Sequence, residues 1–236
     1  MVAIGNFLFH YRNGLLPILF LGILSPSPPL FQNPTIALIL GLGIALAGQM
    51  IRCGTIGFVY IIRGGQNRRV HAENLVTEGI FAHCRNPMYV GNIAVASGMG
   101  LASNSLIFFV FISVVIIFIY EPIVRAEENF LRNKFGSEFD EYAKRVHRWI
   151  PNFSGFLETL KKHTFKWKRV VIKEYNSTFT GVTLGLLIIA KVIYDHPERY
   201  GPLQEYLPVL GGCFVLLLVS YLIVRYLKKS QRLVDN

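Results

Sequence analysis

A chain of 236 residues that is 52% hydrophobic and only 16% charged, with a mean hydropathy of +0.42, excludes an ordinary soluble domain. It points to an all-α, polytopic membrane protein. The net charge of +10 sits in particular loops, so it is no evidence for a nucleic-acid partner. Cys53, Cys84 and Cys213 are scattered, and no H-x-x-H or H-E-x-x-H pair occurs, so neither a disulfide framework nor a metal site is expected.

A membrane span needs about 20 mostly apolar residues. Six segments approach that length, near 14–31, 35–62, 87–102, 105–124, 177–194 and 204–227. The first follows Arg12 and could pass for a signal peptide, but SPSPPLFQNP comes next instead of an A-x-A-like cleavage site. It reads as a retained span. The second, taken as one helix, would reach about 42 Å, beyond a hydrocarbon core of about 30 Å. Arg52 then lies near its cytoplasmic end, snorkelling or facing a polar cavity. Gly41, Gly43, Gly48, Gly54 and Gly57 suit close helix contact.

Basic residues alternate between loops. Segment 63–85 carries Arg63, Arg68, Arg69 and Arg85, and segment 125–175 carries twelve Lys and Arg. The tail adds Arg225, Lys228, Lys229 and Arg232, whereas the loop at 25–34 has no basic residue. The positive-inside rule therefore puts both termini in the cytoplasm, and the even number of spans agrees.

The third span opens with HCRNPMYVGN (83–92). Asn86 suits an N-cap and Pro87 the first helical position. A helix start facing the cytoplasm exposes N–H groups and a partial positive charge, to which Arg85 adds a full one. Such a corner suits a carboxylate or phosphate. The plainer alternative makes Arg85 a positive-inside anchor and Tyr89 part of an aromatic belt. This short span is expected to pair with the fourth through Ser103-Asn104-Ser105.

The fourth span continues past the membrane surface as EPIVRAEENFLRNKFG (121–136). Glu121 with Arg125, and Glu128 with Arg132, are spaced as helical ion pairs. Glu127 instead has Ile123, Val124, Phe130 and Leu131 as its helical neighbours. A carboxylate on an apolar stripe must find a partner or be neutralised. Gly136 then ends the helix, and Ser137 with Asp140 reads as a capping box. Phe139, Tyr142 and Val146 share a face, with Trp149 close by. That segment reads either as a lid over a site or as a structural surface helix.

In the basic linker, Phe156, Leu160, Thr164, Trp167 and Val171 recur at helical spacing among Lys161, Lys162, Lys166, Lys168 and Arg169. This reads either as a helix lying on the membrane surface or as an ordinary basic cytoplasmic loop. The organisation expected is a first helix and loop (1–34), a core (35–151), the linker (152–176) and an added C-terminal hairpin with a basic tail (177–236).

Two stretches taken together, LVTEGIFAHCRNPMYVGN (75–92) and EENFLRNKFGSEFDEYAKRVHRWIP (127–151), resemble the integral-membrane methyltransferase superfamily. That superfamily includes isoprenylcysteine carboxyl methyltransferase and the phospholipid methyltransferases. The resemblance covers roughly 35–151. It implies S-adenosylmethionine as cofactor, a cytoplasm-facing cofactor pocket, and a lipophilic or lipidated acceptor entering from the bilayer of a bacterial inner membrane or the endoplasmic reticulum. By position, Leu75, Val76, Phe81, Asn86, Pro87, Met88, Tyr89 and Glu127 would bind the cofactor. Arg85, Arg125 and Tyr89 would serve the reaction. This chain departs from the pattern at Asn86, where His is usual, at Glu73 and Ile123, and at His147, where Pro is common.

A carboxylate acceptor is already ionised, whereas an amine acceptor must lose a proton. His83 and His71 are the available bases, and neither is compelling. The expected activity is thus most like isoprenylcysteine carboxyl O-methylation, with phospholipid N-methylation as the alternative. A sterol-type reductase using a nicotinamide cofactor and a non-enzymatic scaffold are the other readings.

Overall fold

The computed structural model describes residues 2–59 and 72–234. Nine α-helices are found among them: α1 (Val2–Leu19), α2 (Pro34–Phe58), α3 (Pro87–Ala102), α4 (Leu106–Phe135), α5 (Ser137–Arg145), α6 (Phe156–Lys162), α7 (Trp167–Asp195), α8 (Pro197–Tyr200) and α9 (Leu207–Lys229). The described residues contain no strand, only one isolated bridge between Pro29 and Ser105. The chain is a polytopic α-helical membrane protein. Of the described helices, α2, α4, α7 and α9 are long and apolar enough to cross a membrane. Six crossings were expected; α3, with 16 residues, is shorter than a full span, and α1 is not among the four.

The first helix begins and ends earlier than the expected 14–31. It takes in residues from Val2 onward, and a 3-10 turn at Phe20–Leu24 closes it. Pro26, Pro28 and Pro29 follow and stop helical continuation. The early residues are drawn in because they pack on α4. Phe9 is buried there, and a Cβ added to Gly5 would lie 2.7 Å from the Pro122 carbonyl carbon.

The α2–α3 contact is the most extensive in the molecule. It depends on facing small residues: a Cβ on Gly98 would sit 2.5 Å from Ala45 N, and one on Gly48 2.7 Å from Gly91 O. Gly41 belongs to the same seam, 2.5 Å from Gly98 O, whereas Gly43 faces open space. The hairpin between α3 and α4 forms as expected. Asn104 takes φ +54°, its side chain pairs with the Phe31 backbone, and Ser105 caps α4 through Phe108 N.

The linker is not one surface helix. It forms α6, breaks at 163–166, and resumes as α7 at Trp167. The break arises because the chain is tied back to α2: Lys166 N donates to Gly57 O at 2.9 Å, and Phe165 packs edge-on to Phe58. The fifth span therefore starts about ten residues before the expected 177. The capping box at Ser137 is also absent. Gly136 is the N-cap, at φ +55°, and Asp140 pairs with Arg132 instead. The expected shared face of Phe139, Tyr142 and Val146 does form, packed with Ala72 and Leu131.

Candidate functional site

The start of α3 is set by Pro87 at its first position, whose missing N–H costs nothing there. Asn86 stands at the N-cap but makes no capping bond with its side chain. Its amide donates to Arg148 O at 3.3 Å, and its own carbonyl accepts from Tyr89 N and Val90 N. The loop at 146–152 is thus bound to this corner. Arg85 N donates to His147 O, and Asn152 N donates to His83 O. His147 Nδ1 accepts from the Trp149 and Ile150 amides, which holds the loop's shape.

Tyr89 projects one turn into α3, and Glu127 lies on α4. The Tyr89 hydroxyl donates to Glu127 Oε1 at 2.6 Å, with the carboxylate only 6% exposed. The apolar stripe around Glu127 thus buries the carboxylate, and a phenol from the neighbouring helix meets it.

Beside it, Glu128 collects two guanidinium groups. Arg85 Nη1 is 3.2 Å from Oε1, and Arg148 approaches through Nε at 3.1 Å and Nη2 at 2.6 Å. Arg148 Nη1 also reaches Glu121 at 3.1 Å, and the Trp149 indole donates to Glu121 at 3.0 Å. The Glu128 carboxylate holds the Arg148 guanidinium above its ordinary pKa. The expected Glu128–Arg132 pair does not form. The two buried-side arginines outcompete a solvent-facing partner, and Arg132 turns to Asp140 at 2.7 Å. The Glu121–Arg125 pair forms as expected, at 2.7 Å.

Phe81 lies in a 3-10 turn (Gly79–Ala82) and is buried, and its carbonyl accepts the Tyr142 hydroxyl at 2.8 Å. Leu75 is half-buried against the Phe139–Tyr142 cluster. Val76 and Met88 are half-buried, and Pro87 is buried. Arg125 stays at the surface, with its side chain 47% exposed. His83 is buried with Nδ1 2.7 Å from Asn152 O and Nε2 2.8 Å from Thr159 Oγ1. His71 lies outside the described residues. Burial pushes the Cys84 thiol pKa up.

Sequence reasoning missed Arg148, whose partners lie 20 and 27 residues away and leave no local spacing to read. It also missed Glu174 on α7, which is 4% exposed and holds Arg52. Glu174 follows Val170, Val171 and Ile172, so the argument that singled out Glu127 could have found it.

The donor set suits an amino-acid-bearing sulfonium cofactor. A buried carboxylate complements an ammonium or hydroxyl groups, and a guanidinium complements a carboxylate. Among the described residues, no three His, Cys, Asp or Glu side chains gather as a metal site.

The model of the phospholipid methyltransferase family matches residues 35–138. All the positions expected from the resemblance to bind the cofactor fall inside that range, whereas Arg148 and α7 lie beyond it. The chain is 28% identical over 159 residues to a cobalt-zinc-cadmium resistance protein of Cupriavidus metallidurans, covering 64% of this chain and 69% of that one. It is 33% identical over 85 residues to a nickel-cobalt-cadmium resistance protein of Alcaligenes xylosoxydans xylosoxydans, covering 36% and 39%. It is 29% identical over 115 residues to the protein-S-isoprenylcysteine O-methyltransferase of Schizosaccharomyces pombe, covering 47% and 48%. The last two matches span less than two thirds of those relatives' own length. No solved structure matches the chain.

Proposed function

We infer that this chain, whose residues 35–138 carry an integral-membrane methyltransferase superfamily core, transfers a methyl group from S-adenosylmethionine to a lipophilic acceptor. The observation that carries the reading is the buried Glu127–Tyr89 pair beside Arg85 and Glu128, where α3 starts against α4. When bound, S-adenosylmethionine supplies a methyl group on a sulfonium centre, open to in-line attack by a nucleophile. Glu127 would accept hydrogen bonds from the cofactor's ammonium or hydroxyl groups, and the Tyr89 hydroxyl holds its side chain in place. Arg85 faces the cofactor's carboxylate. Leu75, Val76, Phe81, Asn86, Pro87 and Met88 would form the wall, in part through backbone groups, and the burial of Phe81, Asn86 and Pro87 would help keep water from the reacting atoms.

The acceptor class is a carboxylate on a lipidated molecule, as in isoprenylcysteine O-methylation. Both ring nitrogens of His83 are engaged, so His83 is poorly placed to deprotonate an amine. Arg125, exposed at the far end of the Glu121 pair, serves the acceptor's negative charge on approach. The pocket faces the cytoplasm, and both termini lie on that side. Replacing Glu127 with Ala is expected to abolish S-adenosylmethionine binding in calorimetry while the protein still inserts and folds. Unchanged affinity would remove the assignment.

A further inference from the structure

A second polar cluster lies away from this site, between α2, α3 and α7. Arg52 Nε and Nη2 meet the two oxygens of Glu174 at 2.9 and 2.8 Å, and Nη2 also reaches Ser177 Oγ at 3.0 Å. Arg52 Nη1 bonds Asn92 Oδ1 on α3. Gln49 donates to Glu174 at 3.1 Å and to Thr178 at 3.3 Å. Glu174 is 4% exposed and the Arg52 side chain 13%. A charge pair inside membrane-spanning helices is costly and is kept for a purpose. This one is bidentate and well bonded on both sides, so it is built to hold its parts together rather than to take up a ligand.

What it holds is the beginning of α3. The Arg52 stem crosses Gly91, where an added Cβ would lie 2.7 Å from Arg52 Cγ. Its guanidinium then grips Asn92, one turn after Tyr89. The first turns of α3 are therefore fixed twice, by Glu127 through Tyr89 and by Glu174 through Arg52 and Asn92.

We propose that Arg52 and Glu174 are positioning residues for the cofactor site: α7, outside the family-matched region, sets the placement of the α3 start through Arg52 and Asn92. This rests on the function proposed above only for its ligand. A displacement of the order of 1 Å at a binding site is enough to cost a large factor in function.

The test compares the full-length wild type with Glu174→Gln, Asn92→Ala and the double variant in detergent. Hydrogen exchange over residues 89–95 and S-adenosylmethionine affinity by calorimetry are both measured. Faster exchange at 89–95 is expected in each single variant, with affinity about tenfold weaker, a typical size for coupling between two sites. The double variant should be no worse than the weaker single one, because both act through Arg52. Unchanged exchange at 89–95 in folded Asn92→Ala overturns the proposal, and that variant decides alone if Glu174→Gln does not fold. If the wild type binds no S-adenosylmethionine, the methyltransferase reading fails, and the exchange measurement still decides the positioning role.

Discussion

At the scale of single residues, the Tyr89 hydroxyl meets the buried Glu127 carboxyl at 2.6 Å. Removing the Tyr89 hydroxyl takes one hydrogen bond from the buried Glu127 carboxyl, which costs about 1–3 kcal/mol. Tyr89→Phe should therefore lower the unfolding free energy in detergent by that amount and also weaken cofactor binding. Cys84 behaves differently. Its thiol is 2% exposed, and burial raises its pKa above the unfolded value. The neutral thiol is the form the fold favours. Its contribution to stability is fully present below the unfolded pKa and is lost as pH rises through the folded one. Cys84 should thus resist alkylation at neutral pH in the native protein and react once the chain is unfolded, as mass spectrometry of labelled peptides would show. That Glu127 needs a partner is legible from its apolar neighbours alone. Which partner it finds is not, because Tyr89 lies 38 residues away. The same limit explains Glu128. Helical spacing offers Arg132, but the folded chain brings Arg85 and Arg148 to it from two separate loops.

Among the elements, the α2–α3 seam leaves no room for added side chains at its facing glycines. Gly41 faces the α3 backbone, and a methyl there would sit 2.5 Å from Gly98 O. Gly41→Ala should destabilise the protein by about 1–3 kcal/mol, as overpacking does. Gly43→Ala, on the opposite face of the helix and in open space, should be neutral or stabilising by up to about 1 kcal/mol through helix propensity. Thermal unfolding of the two variants side by side checks the contrast. The long helices and the α3–α4 turn were readable because apolar length and the Ser103-Asn104-Ser105 signal are local. The linker was misread because its helical periodicity is real up to Lys162, after which Lys166 and Phe165 are tied to α2. A tertiary contact overrides local propensity there, and no spacing in 152–176 announces it. The capping box failed in a similar way. Gly136, with positive φ, takes the N-cap position, which shifts Ser137 into the helix.

In the whole molecule, the family-matched residues 35–138 are followed by the long helices α7 and α9. By the positive-inside rule, the basic residues around 125–175 and in the tail favour the proposal that the site and both termini are cytoplasmic. A reporter active only in the cytoplasm should work when fused to either end, and a periplasmic or lumenal reporter should stay silent at both. The central claim is that this membrane protein methylates a lipophilic acceptor using Glu127. Membranes containing the wild type or Glu127→Gln would be incubated with methyl-labelled S-adenosylmethionine, and the organic-phase label measured after extraction. The account predicts label in a lipophilic product with the wild type and a loss of at least about tenfold with Glu127→Gln, since one strong charged hydrogen bond is worth that much. Equal labelling by the two proteins, or none with a folded wild type across lipidated carboxylate and amine acceptors, would contradict it.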